Sequence, residues 1–136
     1  MTRRIRLAAL LGLVLSGASL SAHHSIAAYY DTSKRVTIEG SIATFQFVNP
    51  HPFITLNVKD ASGKDVLWEL ELDNRSELAE IGITVATFKP GSHAVVSGAM
   101  SRQQQTHGMY VYRLEGTDGL LYEQVGFSPR IRQTSR

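Results

Sequence analysis

Between Val36 and Val125 apolar residues recur at every second position in one short run after another, and a single segment of helical spacing interrupts them. Period two sends alternate side chains to opposite faces of a strand, so this stretch is committed to a sheet with one buried face. Val36, Ile38 and Ile42 lead into Phe45 and Phe47 with a one-residue slip near Ala43-Thr44 and Gly40 inside the run. That combination predicts a long first strand, bulged and strongly bent. Asn49-Pro50-His51-Pro52 is a turn, since two prolines cannot continue a ladder. Ile54, Leu56 and Val58 then form a second strand, Ser62-Gly63 a tight connection, and Val66, Trp68, Leu70 and Leu72 a third. Trp68 is expected in the core, and Glu69, Glu71 and Asp73 form an acidic outer face.

Asn74 to Gly82 opens on cap-forming residues, spaces Leu78 and Ile81 three apart and ends in glycine, which predicts a short helix. Strands follow at His93 to Ala99, Met109 to Leu114 and Leu120 to Val125. The fold expected is all-β: an OB-like barrel of five to six strands over residues 35–127, with a short helix between strands 3 and 4. An open β-sandwich is the competing architecture, but it normally has about seven strands and no inserted helix. Residues 23–34 are expected as an irregular amino-terminal arm and 128–136 as a loose basic tail.

The first 22 residues have a different character. A basic start at Met1 to Arg6, an apolar run from Leu7 to Leu20 and small residues at Ser21-Ala22 make a secretory signal pattern, with cleavage expected after Ala22. Export to the periplasm or beyond is therefore expected. The apolar run is shorter than the roughly twenty residues of a bilayer span, and no second one follows. Processing also changes the charge. The whole chain is +2, but three arginines lie in the signal and three more in the tail, leaving eight cations against all twelve acids in the body. A net-negative body argues against nucleic acid.

HHSIAAYYD, FQFVNPHPFITLNVKDASGK, VLWELELDNRSELAEIGI and FKPGSHAVVSG together resemble an exported bacterial family, domain-of-unknown-function family 6152. The similarity runs from His23 to Tyr122. Its most specific pieces are the His-His-Ser start, the Asn-Pro-His turn and the Lys-Pro-Gly turn before a strand. The resemblance implies a small exported β domain and supplies no activity.

Chemistry must be sought in the residues. No catalytic signature is present: no nucleophile elbow, no phosphate-cradling glycine loop, no helical His pair and no cysteine. Glu69 and Glu71 read as a solvated strand face. Five histidines without cysteine point to nitrogen ligation of a late first-row metal. If His23 becomes the new amino terminus, its amine and ring form a chelate, and further imidazoles complete the tetragonal set that Cu(II) prefers. In an OB barrel the loop joining strands 1 and 2 and that joining strands 4 and 5 flank one face. They carry His51 and His107, so His23, His24, His51 and His107 are the candidate metal ligands, with copper the candidate metal. His51 alone is also expected to hydrogen-bond a backbone carbonyl in its turn, and His93 to be an ordinary exposed residue.

Phe47, Asn49, Phe53, Tyr110 and Tyr112 are candidate contacts for a small ligand or glycan on the same face. The function expected is a non-enzymatic exported binding or accessory module. The alternative is a structural or protein-interaction subunit of a cell-envelope complex.

Overall fold

A long first strand, β1 (Val36–Gln46), is shared between two neighbours, and the rest of the barrel is wound on it. Val36 to Ser41 pair with β4 (His93–Met100), whereas Ser41 to Gln46 pair with β2 (Phe53–Lys59). The pairing with β2 shifts register between Ile42 and Thr44, where the sequence alternation slips. The extra residue returns Phe45 and Phe47 to the inner side after Ile42, and both pack against the core. The computed structural model that shows this describes residues 26–103 and 105–134; the expected signal segment, His23 and His24 lie outside them.

β2 pairs with β3 (Asp65–Glu71), and β4 with β5 (Gly108–Gly116). β5 then meets β3 in parallel through Glu69 with Gly108, Leu70 with Met109 and Glu71 with Tyr110. The circuit 1-2-3-5-4 closes a five-stranded barrel, which is the OB-type architecture and not two stacked sheets. Between β3 and β4 the chain forms α2 (Arg75–Glu80), capped by Asn74, whose side chain accepts from the Ser76 amide at 2.8 Å. A one-turn helix, α1 (Ile26–Tyr29), precedes the barrel. None of the helices among the described residues is long and apolar enough to cross a membrane.

Inward residues of all five strands meet Leu78, Ile83 and Phe88 from the helical insertion in one core. Ile54, Leu56, Leu70, Val96, Met109 and Val111 are wholly buried, and no polar or charged residue is buried among those described. Phe88 stands edge-on to Phe45 at 5.0 Å and to Tyr122 at 6.5 Å.

Two expectations change. Residues 128–133, expected as a loose tail, form β7 (Ser128–Gln133), which pairs with β6 (Leu120–Val125) along its whole length and extends the sheet beyond the barrel. Its alternation was masked by arginines: Pro129 is buried and Ile131 packs on the core, while Arg132 reaches Glu123 at 2.8 Å. Trp68 is half-buried, with one side on the core and its ring 5.3 Å from that of His107.

Gly40, like Gly98, marks a close approach of neighbouring strands. A Cβ there would lie 2.1 Å from the Asn57 carbonyl oxygen, a backbone atom that cannot rotate away. Gly40→Ala is expected to cost about 2–3 kcal/mol, read as a lower urea midpoint with an unchanged slope. Wild-type stability in that variant would show that β1 and β2 separate easily.

Candidate binding site at the junction of arm and barrel

The arm reaches the barrel where β4 ends. Asp31 N donates to Met100 O and Arg102 N to Tyr29 O, both at 2.8 Å, so the arm continues the β4 ladder for one step. Arg102 Nε adds a bond to Ala27 O at 3.0 Å. Tyr30 is thereby laid across β3: its hydroxyl donates to Glu71, and its ring lies 5.8 Å from that of Tyr110. Burial, and then the Glu71 hydrogen bond, push the Tyr30 phenol well above the ordinary tyrosine range.

Two cavities open beside this crossing. The larger, about 620 Å³, is lined by Tyr30, Leu67, Glu69, Glu71, Arg102 and His107 among others. The smaller, about 240 Å³, is lined by Ile26, Tyr30, Pro50, His51, Phe53 and Glu71 among others. Tyr29, Tyr30 and Glu71 belong to both. His51 and His107 thus line neighbouring cavities with common walls.

His51 follows the cis Asn49-Pro50 bond. Its Nδ1 lies 3.0 Å from Leu72 O and 3.5 Å from Glu71 Oε1. A carbonyl and a carboxylate can only accept, so Nδ1 must carry the hydrogen. In the neutral ring Nε2 is then the lone-pair nitrogen, the tautomer that a backbone carbonyl imposes on metal-binding histidines. The turn hydrogen bond and a ligand role, alternatives by sequence, are compatible in this geometry.

The remaining candidates separate. His107 is exposed against Trp68, and its carbonyl accepts from Glu69 N at 2.8 Å. His93 is exposed and pairs with Ser41 on β1. Phe53 lines the small cavity. Tyr110 and Tyr112 line a third cavity on the other flank of α1. Phe47 lies under the Arg75 guanidinium at 4.6 Å, and Asn49 is exposed in the turn; neither lines any of the three. Among the described residues no three His, Asp or Glu side chains are grouped closely enough to hold a metal.

Tyr30 and Glu71 are central to the site, and sequence reasoning missed both. Glu71 looked like one of several solvated acids, and nothing in the irregular HHSIAAYYD run marked Tyr30 as its partner.

The family model for a family of unknown function, DUF6152, matches residues 11–111. No curated protein matches the chain. Among solved structures it is similar to a chain of the S. pombe Stn1-Ten1 complex, with a TM-score of 0.46 and 17% identity, over 60% of this chain and 57% of that one. It is also similar to a chain of yeast Stn1 and Ten1, with a TM-score of 0.40 and 13% identity, over 61% and 42%. In both cases the match spans less than two thirds of the solved chain.

Two spectroscopic outcomes follow from the geometry. Burial, first, and neighbouring carboxylates raise Tyr30, Tyr110 and Tyr122 above the ordinary value of 10.0. A phenol whose folded pKa is raised stabilises the fold fully below pH 10, and that contribution is lost above it as the unfolded chain ionises. Phenolate absorbance should therefore show at least three of the five tyrosines un-ionised at pH 11 until the protein unfolds. A single transition of all five near pH 10 would contradict the burial. Second, the His107 ring covers part of the sole tryptophan, Trp68, at 5.3 Å, so His107→Ala should move the Trp68 emission to longer wavelength, and unchanged emission would separate the two rings in solution.

Proposed function

The chain belongs to the family of unknown function DUF6152, a description that assigns no activity, and from the site itself we propose that it is an exported binding module. The metal proposed for it is a transition metal such as Cu(II), held where the arm meets the barrel. His51 supplies the fixed donor through Nε2, and His23 and His24 supply the rest from the arm. One observation carries this reading. His51 is held by Leu72 O in the ligating tautomer beside a small cavity that Ile26 also lines, three residues along the chain from His23. That length of chain spans at most about 10 Å, which brings an imidazole of the arm within reach of the cavity in this proposal.

The parts have separate roles. Leu72 O orients the His51 ring before any ligand arrives, which lowers the ordering cost of binding. Glu71 contributes negative charge beside that ring while one of its oxygens accepts from Tyr30. Tyr30 and the Arg102 bonds hold the end of the arm against the barrel. A free amine on His23, produced by cleavage after Ala22, completes a nitrogen-rich set of the kind Cu(II) favours over the harder ions.

The test is a Cu(II) titration of the chain beginning at His23, followed by calorimetry and the d–d absorption band. His51→Ala is expected to weaken binding about ten-fold or more, and one extra residue before His23 should weaken it and shift the band. Equal Cu(II) affinity in all three proteins would overturn the proposal.

A further inference from the structure

On the flank of α1 away from the His51 cavity lies a third cavity of about 660 Å³, bounded by α1, the start of α2 and the β6–β7 hairpin. Its walls include the rings of Tyr110, Tyr112 and Phe127, the carboxylates of Asp73 and Glu77, and the amide of Gln124. Neither carboxylate has a cationic partner among the described residues. Asp73 accepts only from neutral donors, the Asn74 amide at 2.7 Å and Gln124 Nε2 at 2.6 Å. The carboxylate fixes which way the Gln124 amide faces, because only its NH2 can donate to Asp73. Nε2 also lies 3.1 Å from the Tyr122 hydroxyl. Gln124 Oε1 is consequently left as an acceptor. Asp73, Glu77 and Gln124 Oε1 therefore present acceptors, beside the hydroxyls of Thr32, Tyr110 and Tyr112, which can donate or accept.

The aromatic walls point the same way. Tyr112 already carries a cation on its ring, with Arg35 Cζ 4.8 Å from the centroid. Phe127 is 99% exposed at the hairpin tip, a large apolar ring left wholly in water at the cavity mouth. Faces of aromatic rings beside carboxylates with no cationic partner select organic cations, and a cluster of carboxylate and amide acceptors favours a cation with N–H groups to donate to them.

We propose that the cavity formed by Asp73, Glu77, Tyr110, Tyr112, Gln124 and Phe127 binds a primary alkylammonium group. The ammonium donates to the two carboxylates and to Gln124 Oε1, and its alkyl stem lies against Phe127 and Tyr112. This site shares only Ile26 with the walls of the His51 cavity, and it does not depend on the metal reading.

The full chain in the presence of EDTA, followed by amide NMR, is titrated with n-butylammonium, tetramethylammonium and 1-butanol. The proposal expects saturable shifts around Asp73, Tyr110, Tyr112 and Gln124 with butylammonium. It also expects binding of tetramethylammonium and butanol to be at least about ten-fold weaker, in keeping with the strength of charge-assisted hydrogen bonds. Asp73→Asn should weaken butylammonium about ten-fold. Glu77→Gln and Phe127→Ala, at exposed positions where folding is not at stake, should each weaken it about three-fold or more. Butanol or tetramethylammonium binding as tightly as butylammonium would overturn the assignment. So would shifts that map to another surface, or unchanged affinity in both Glu77→Gln and Phe127→Ala. A Gly-Gly-Lys-Gly-Gly peptide that binds more tightly than butylammonium would assign the cation to a polypeptide side chain, and the reverse order to a free amine. Both orders agree with an ammonium site.

Discussion

The parallel pairing of β3 with β5 closes the barrel, and the rest of the structure depends on it. Only three residue pairs form it, joined by the bond from Glu69 N to His107 O. Closure gives β3 a partner on both sides and removes the edge that an open sheet would present. It also settles parity. With Leu70 and Met109 paired and wholly buried, Glu69 and Glu71 must stand on the outer face beside the loop that carries His107. A slip of one residue would bury two carboxylates and expose the leucine.

The arm depends in turn on that outer face. Glu71 can take the Tyr30 hydroxyl because closure leaves its carboxylate half-exposed at the barrel rim, where part of its hydration is kept. Its second oxygen faces His51 Nδ1 at 3.5 Å, too far for a strong hydrogen bond, while Leu72 O takes that N–H at 3.0 Å. The ring is therefore oriented by backbone, which is fixed by the ladder, and not by a titratable side chain. Its Nδ1–H tautomer follows from the fold rather than from an ion pair.

Periodicity carried most of the architecture. The slip at Ala43-Thr44 is the β1 register shift, and the break at Asn74 to Gly82 is α2 with its turn. Both are legible because a bulge and a helix change the phase of the apolar residues, which a sequence records directly. β7 was illegible because its inward residues are a proline and an isoleucine among arginines, so burial there comes from pairing with β6 and not from intrinsic hydrophobicity. The site was legible only in part. Histidine content and loop position pointed to His51 and His107. The contact between Tyr30 and Glu71 joins residues forty-one apart, and no local pattern encodes it. The aromatic set drawn from strand positions split among different surroundings because the arm, which divides the face, has no periodicity of its own.

That division explains where the acidity of the folded body falls. Glu69 and Glu71 are alternate residues of β3 and Asp73 follows two residues beyond it, with the wholly buried Leu70 and Leu72 between them, so the three acids lie along one outer row. The arm crosses this row at Glu71. Glu69 is left in the large cavity, Glu71 faces both cavities on its side of α1, and Asp73 falls in the cavity beyond. A row of like charges at this spacing is self-repelling, and the arm offsets the repulsion at its centre only with a neutral phenol. Among the described residues neither Glu69 nor Asp73 forms an ion pair. Cationic ligands, a metal on one flank and an ammonium on the other, are the class whose binding this row of carboxylates favours electrostatically.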